Sequence, residues 1–108
     1  MKKLTRETVI NVVKNLAKEE SQDGLEIVGI FGSYARNTPN EFSDVDIAYK
    51  IDHSLFSQKY KDGFSKLLKI EEIKELLQER LHHKVDLVSL NGSNEKLQAN
   101  MLKEMVYV

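Results

Sequence analysis

Segments with the apolar period of a helix alternate with segments typical of a strand, and this alternation is the strongest constraint on the fold. Residues 5–19 repeat apolar side chains at helical spacing, and residues 25–31 (LEIVGIF) form a continuous apolar run. Residues 44–51 alternate in twos, and residues 84–90 (KVDLVSL) predict a third strand. The pattern predicts an α+β fold with α/β-like features, in which helices pack on a small sheet.

Two further helical segments complete the pattern. Residues 55–81 predict a long helix that Asp62-Gly63 could interrupt, and residues 94–105 predict a closing helix. Since no linker or repeat interrupts the chain, we expect a single domain over residues 1–108. The predicted buried stripe of the long helix consists of Leu67, Leu68, Ile70, Ile73, Leu76, Leu77 and Leu81.

Composition excludes several classes of function. The 108 residues contain no cysteine, which rules out thiol nucleophiles and cysteine-based metal sites. Sixteen basic and seventeen acidic residues give a net charge of −1, so no overall field attracts nucleic acid or an anionic membrane. No apolar run approaches the ~20 residues that span a bilayer. We therefore expect a cytoplasmic protein with no membrane contact and no direct binding of nucleic acid.

The most informative motif consists of Gly32-Ser33 and Asp44-Val45-Asp46, with ten residues (34–43) between the two parts. Glycine at the end of a predicted strand lets the backbone approach a ligand, and a following helix start offers free N–H groups to a phosphate. Asp44 and Asp46 project from one face of a strand with Cα atoms about 6.7 Å apart. Such paired carboxylates are typical ligands of a hard cation such as Mg²⁺.

Asp86 is a third candidate, because it lies between apolar neighbours on the third predicted strand. If the second and third strands are neighbours, Asp86 can join Asp44 and Asp46 across the sheet. Phosphate donors and magnesium ligands at one end of a sheet predict a nucleoside triphosphate site. The chemistry that they indicate is in-line displacement at phosphorus.

The segment FGSYARNTPNEFSDVDIAYKI resembles the signature of the minimal nucleotidyltransferases, within the DNA polymerase β-like nucleotidyltransferase superfamily. KVDLVSL is similar to the strand that holds the family's third carboxylate, and LKEMVYV is similar to its closing helix. The resemblance implies a core of four helices and three strands in strict alternation, with a mixed sheet in order 1-2-3.

The resemblance also implies a role for each matching residue. Gly32 and Ser33 would hold the β- and γ-phosphates of ATP, and Arg36 would contact phosphate. Asp44 and Asp46 would bind two Mg²⁺ ions, while Asp86 would complete the metal site and help to activate the attacking hydroxyl as ligand or base. Asn37 stands where the family often has glycine, and asparagine tolerates left-handed backbone angles nearly as well.

The chain also resembles the small, single-domain members of this family. Those members typically act as antitoxins beside a HEPN-domain toxin, and some transfer AMP from ATP to a tyrosine of that toxin. The resemblance therefore implies a HEPN toxin partner and a hetero-oligomer. Two alternatives stay open: an antitoxin that binds nucleotide without catalysis and neutralises by binding, and a nucleotidyltransferase acting on a small molecule such as an antibiotic. A template-directed polymerase is disfavoured, because no second domain or basic channel is predicted.

Several residues also have a purely structural interpretation. Arg36 could form a surface salt bridge, and Tyr34 could pack in the core rather than near the nucleotide. His82 and His83 are adjacent, so their side chains diverge, and residues at a helix end are the expected interpretation rather than a metal pair. The basic stretch 59–69 is explained by a solvated helix face, with an acidic or RNA partner as the alternative.

Overall fold

The computed structural model describes residues 4–20, 23–40, 42–91 and 95–108. Helices and strands alternate as the sequence predicted, which confirms the α+β class. The elements are α1 (Arg6–Glu20), β1 (Leu25–Phe31), α2 (Gly32–Ala35), β2 (Val45–Ile51), α3 (His53–Lys59), α4 (Gly63–Leu81), β3 (Val85–Ser89), α5 (Glu95–Glu104) and β4 (Val106–Tyr107).

The sheet has the order β3-β2-β1-β4. β2 runs antiparallel to β1 and parallel to β3, so the predicted mixed order 1-2-3 is present. The fourth strand was not predicted, and the expectation that LKEMVYV belongs wholly to the closing helix is wrong. α5 ends at Glu104, and the β-branched and aromatic residues that follow add an edge strand to β1. Gly29 permits this pairing, because a Cβ there would strike the Val106 carbonyl.

The predicted long helix is two helices, separated where Asp62-Gly63 predicted an interruption. Asp62 begins α4 as its N-cap, and its side chain accepts a hydrogen bond from Ser65 N at 2.7 Å. Asp52 caps α3 in the same way, through Ser54 N and Leu55 N. The closing helix predicted over residues 94–105 is α5, and position 94 lies outside the described residues.

One face of the sheet carries the main core. α1, α3 and α4 pack there with side chains that are almost fully buried: Val9, Val13, Leu16, Phe56, Ile73, Leu77 and Leu81. The predicted stripe of α4 is confirmed from Ile70 onward but is wrong for Leu67 and Leu68, which are 68% and 54% exposed. Both project from the turns of α4 that precede its buried stripe.

The other face of the sheet is covered by α5. Ala48 is fully buried beneath Met101 and Met105, so the β2 face is apolar in its middle, with exposed Lys50 at one end and Asp46 toward the other, polar end. Asp86 lies beside Asp46 at that polar end. Within the described ranges, no helix has the length and apolar character needed to cross a membrane.

Candidate active site

Gly32 and Asp46 meet where β1 ends. Phe31 and Asp46 are register partners across the antiparallel pair, and Gly32 follows directly as the first residue of α2. Gly32 has a φ of 74°, and a Cβ at this position would collide with the Asp46 carboxylate. Glycine is therefore required both for the backbone angle and for the close approach of the carboxylate. The two halves of the sequence motif are in direct contact.

The turn after α2 is closed by backbone hydrogen bonds. Arg36 N donates to Gly32 O at 3.1 Å, and Thr38 N donates to Ser33 O at 2.9 Å. Asn37 adopts a left-handed φ of 60°, which is the conformation that the comparison with glycine led us to expect. Ser33 is partly exposed and lies at the junction where β1 ends and α2 begins.

Asp46 and Asp86 are register partners on the parallel strands β2 and β3, and Asp44 lies two residues before Asp46. Partners on neighbouring strands project from the same face about 4.8 Å apart. Partial burial raises the pKa of Asp46 above its usual range, and the negative charges of Asp86 and then Asp44 raise it further. Asp86 and Asp44 therefore both lie close enough to act on Asp46 at one end of the sheet.

This donor set fits a hard divalent cation in its chemistry, since carboxylate oxygens are the ligands that Mg²⁺ prefers. A cation would relieve the mutual repulsion that raises the pKa of Asp46. As the side chains stand, no group of three His, Cys, Asp or Glu residues in the described part of the chain is gathered closely enough to hold a metal ion. Asp86 is exposed and Asp44 is half-buried.

Comparison with known proteins agrees with this geometry. The sequence profile of the family described as polymerase beta, nucleotidyltransferase, matches residues 11–108. The chain belongs to the polymerase β nucleotidyltransferase family. It is 32% identical over 109 residues to the protein adenylyltransferase MntA of Thermococcus cleftensis, covering 100% of both chains. The protein is thus a nucleotidyltransferase of the minimal type.

Solved structures show the same minimal nucleotidyltransferase fold. One assigned to the minimal nucleotidyltransferases superimposes with a TM-score of 0.75 and 24% identity, covering 100% of both chains. A crystal structure of a toxin–antitoxin with AMP-PNP superimposes with a TM-score of 0.60 and 22% identity, covering 96% of this chain and 72% of that one. At these identities the likeness concerns the fold.

Arg36 of this nucleotidyltransferase forms an ion pair with Glu104 of α5, with 2.5 Å between Nη1 and Oε2. This is the surface salt bridge that the sequence left open as an alternative. The same guanidinium lowers the pKa of Asp46, while Glu104 raises it, so both charges lie near the acids. Sequence analysis missed Glu104, because nothing local in α5 indicates a partner 68 residues away.

His83 joins two parts of the site. Its Nε2 lies 2.5 Å from the carbonyl oxygen of Ser43, the residue before Asp44, and 3.4 Å from the hydroxyl of Tyr34 on α2. Tyr34 is buried, which raises the pKa of its phenol, so it packs in the core as the alternative interpretation held. His82 is the left-handed C-cap of α4, as expected for a helix-end residue. Sequence analysis missed the His83 contacts.

Asp86 is exposed, so solvent reaches the acids at this end of the sheet. A cavity of about 440 Å³ lies at the opposite end of the β1–β2 pair, where it is lined by Leu25, Ile51, Asp52 and Leu55 among others. Gly32, Asp46 and Asp86 are not among its lining residues. An acceptor that meets the acids therefore approaches an exposed end of the sheet.

Proposed function

We propose that this nucleotidyltransferase is a protein adenylyltransferase, which moves AMP from ATP to a hydroxyl group of a partner protein. The observation that carries the proposal is the contact of Gly32 with the Asp46 carboxylate, beside Asp44 and Asp86. It joins a phosphate-binding turn to a cluster of acids. The activity named for the Thermococcus relative supports the choice of AMP transfer to protein.

Asp44, Asp46 and Asp86 would hold two Mg²⁺ ions in this proposal. When bound, the ions neutralise the charge that develops on the phosphate oxygens. Burial, and then the charges of Asp86 and Asp44, raise the pKa of Asp46, whereas a nearby cation favours the ionised carboxylate. The chain thus provides concentrated negative charge where a nucleotide and its cations would be received.

Gly32 and Ser33 bind the β- and γ-phosphates in this proposal. Gly32 has no side chain to keep the phosphates from the backbone, and the Ser33 hydroxyl donates a hydrogen bond. Arg36, now paired with Glu104 at the rim, donates to a phosphate oxygen. These contacts orient the triphosphate with its α-phosphorus toward the open side.

The acceptor hydroxyl then attacks the α-phosphorus, while the bond from that phosphorus to the bridging oxygen breaks and pyrophosphate leaves. Asp86 accepts the hydroxyl proton, either directly or as part of the metal site. We propose that the acceptor is a tyrosine of a HEPN-domain toxin, bound in a hetero-oligomer. The toxin–antitoxin structural neighbour supports a protein acceptor rather than a small antibiotic.

A binding-only antitoxin is the second candidate. The observation that favours it is that the described acids do not form a closed set of three metal ligands. In that case nucleotide occupies the Gly32-Ser33 turn as a ligand, and neutralisation of the partner comes from the contact surface alone.

The test incubates the purified protein with Mg²⁺, the toxin encoded beside it and ATP labelled on the α-phosphate. We expect label on the toxin from α-labelled but not from γ-labelled ATP. Asp44→Asn with Asp46→Asn should reduce the rate by at least about 10³-fold, because the charge stabilisation at the metal site is worth several kcal/mol. Glu26→Gln, an exposed acid at the other end of β1, is the matched control.

Two results would count against adenylyl transfer. The first is a toxin that stays unlabelled by folded wild-type protein. The second is full neutralisation by the double variant in a growth assay, which would favour the binding-only candidate. Circular dichroism of each variant shows that the fold is intact.

A further inference from the structure

The first turns of α4 expose three large apolar side chains on one side. Phe64, Leu67 and Leu68 are 71%, 68% and 54% exposed, and their spacing of three and four residues places them on one helix face. We call these three residues the α4 patch. A Cβ built on Gly63 would meet no heavy atom within 4 Å, so this end of α4 stands clear of the rest of the molecule.

The patch is not a continuation of the core. The buried stripe of α4 consists of Ile73, Leu77 and Leu81, and at 100° per residue the centre of the α4 patch lies about 130° around the helix from the centre of that stripe. Adjacent large apolar residues on a surface mark interaction sites more often than isolated ones do. The α4 patch therefore needs an occupant that the chain itself does not provide.

Charges at the two ends of the patch indicate which occupant fits. Lys61 is exposed just before the N-cap, at the positive end of the helix dipole. Glu71 and Glu75 are exposed and continue the same face toward the C-terminus of α4. Asp62, between Lys61 and the helix, is turned to its own backbone as the cap. The face thus runs from basic through apolar to acidic.

A surface with this order complements a copy of itself. When two such helices pack antiparallel about a two-fold axis near Leu67, the patches face each other. Lys61 of each copy then lies beside Glu71 of the other copy, because the centre of the apolar patch is about five residues from each of them. Two-fold symmetry forms each of these contacts twice.

We propose that the α4 patch binds a second copy of this chain, in a symmetric antiparallel pair of α4 helices. The proposal does not depend on adenylyl transfer, since Gly32, Asp46 and Asp86 take no part in it. Three apolar side chains per copy make an interface smaller than that of tight dimers, so the dimer forms at high protein concentration and dissociates on dilution.

Sedimentation velocity across micromolar to millimolar concentrations tests the dimer. The wild-type mass should rise with concentration from 12.4 kDa toward twice that value. Leu67→Glu should weaken the dimer by about tenfold or more, because it places like charges in the apolar centre of the interface. Leu102→Glu, on the exposed side of α5, is the matched control and should have no effect.

Charge reversal tests the antiparallel arrangement. Lys61→Glu alone and Glu71→Lys alone each create two like-charge contacts, so each variant should dimerise about tenfold more weakly than wild type. An equal mixture of the two variants restores both contacts in the mixed pair and should dimerise more strongly than either variant alone. Lys14→Glu on α1 is the matched control for loss of a basic residue.

Three outcomes would overturn the proposal. A wild-type protein that stays monomeric throughout the range would mean that a different protein covers the patch. A dimer that Leu67→Glu does not weaken would place the interface elsewhere. A mixture no more dimeric than its components would exclude the antiparallel pairing.

Discussion

The two faces of the sheet differ in how much core they carry and in what they leave exposed. One face packs against α1, α3 and α4 through a continuous apolar core that includes Leu16, Phe56 and Leu77. On the other face, the buried cluster among the described residues consists of Ala48 on β2, Met101 on α5 and Met105 directly after α5. The second face ends in the polar region that holds Asp46 and Asp86.

This difference separates stability from chemistry along a single strand. In β2, Ile47 faces the large core, while Asp46 and Ala48 face the α5 side, because side chains alternate along a strand. The acids lie on the face away from the large core, so they do not interrupt its apolar packing. The small cluster packs α5 against that second face. α5 in turn places Glu104 against Arg36 at the edge of the site.

The largest expected effect on stability belongs to the large core. Phe56→Ala removes a fully buried ring that packs against Tyr60 with ring centroids 4.8 Å apart. We expect a loss of about 3–5 kcal/mol in the free energy of unfolding, from lost burial and the cavity left behind. Urea denaturation measures it. Leu55→Ala, on the same helix but 48% exposed, is the control and should change stability by less than about 0.5 kcal/mol.

A smaller effect is expected from the cluster under α5. Met101→Ala should lower the free energy of unfolding by about 2 kcal/mol in the same denaturation experiment. This is the lower end of the range for such substitutions, because a small cluster can relax into the cavity that the truncated side chain leaves. Leu102→Ala, on the exposed side of α5, should be close to neutral. A cost for Met101→Ala equal to that for Phe56→Ala would mean that the two faces contribute equally and would remove the distinction.

Much of the fold followed from local sequence patterns. The alternation of helices and strands, the break at Asp62-Gly63 and the approach of Asp86 to Asp46 all depend on short-range periods and on neighbouring strands. The turn at Gly32, where β1 ends and α2 begins, could be predicted because glycine is the residue type that tolerates a positive φ.

The remaining features depend on contacts that no local pattern encodes. The exposure of Leu67 and Leu68 is an exception, because at 100° per residue both lie off the face of α4 that holds Ile73, Leu77 and Leu81, although they share its apolar character. The edge strand β4 depends on the space above Gly29. The Arg36–Glu104 and His83–Ser43 contacts join residues 68 and 40 positions apart, so a single sequence has no signal for either pair.

The smallest expected effect on stability comes from the partial burial of Asp46 and from repulsion among the acids of the second face. Asp46→Asn should make the protein more stable near neutral pH when a chelator keeps divalent metal away. The reason is that burial, Asp86 and Asp44 hold the pKa of Asp46 above its usual value of 3.8, so its ionised form is disfavoured in the folded state. We expect a gain of less than about 1 kcal/mol, because Asp46 is only partly buried and solvent screens the charges around it.

The sign of the pH dependence follows from which state releases its proton first. At a pH below 3.8, Asp46 is protonated in both states and the Asn substitution changes little. As the pH rises from 3.8 to the raised pKa, the unfolded chain loses the proton before the folded protein does. The wild type therefore loses stability relative to Asp46→Asn through that window, and the difference is constant above it. Denaturation of both proteins from pH 3 to pH 8 measures the difference.

In an Asp86→Asn background the gain in stability from Asp46→Asn should shrink, because the second-largest cause of the raised pKa is gone. A gain of unchanged size in that background would show that Asp86 does not act on Asp46, and the cluster of acids would then be two separate sites.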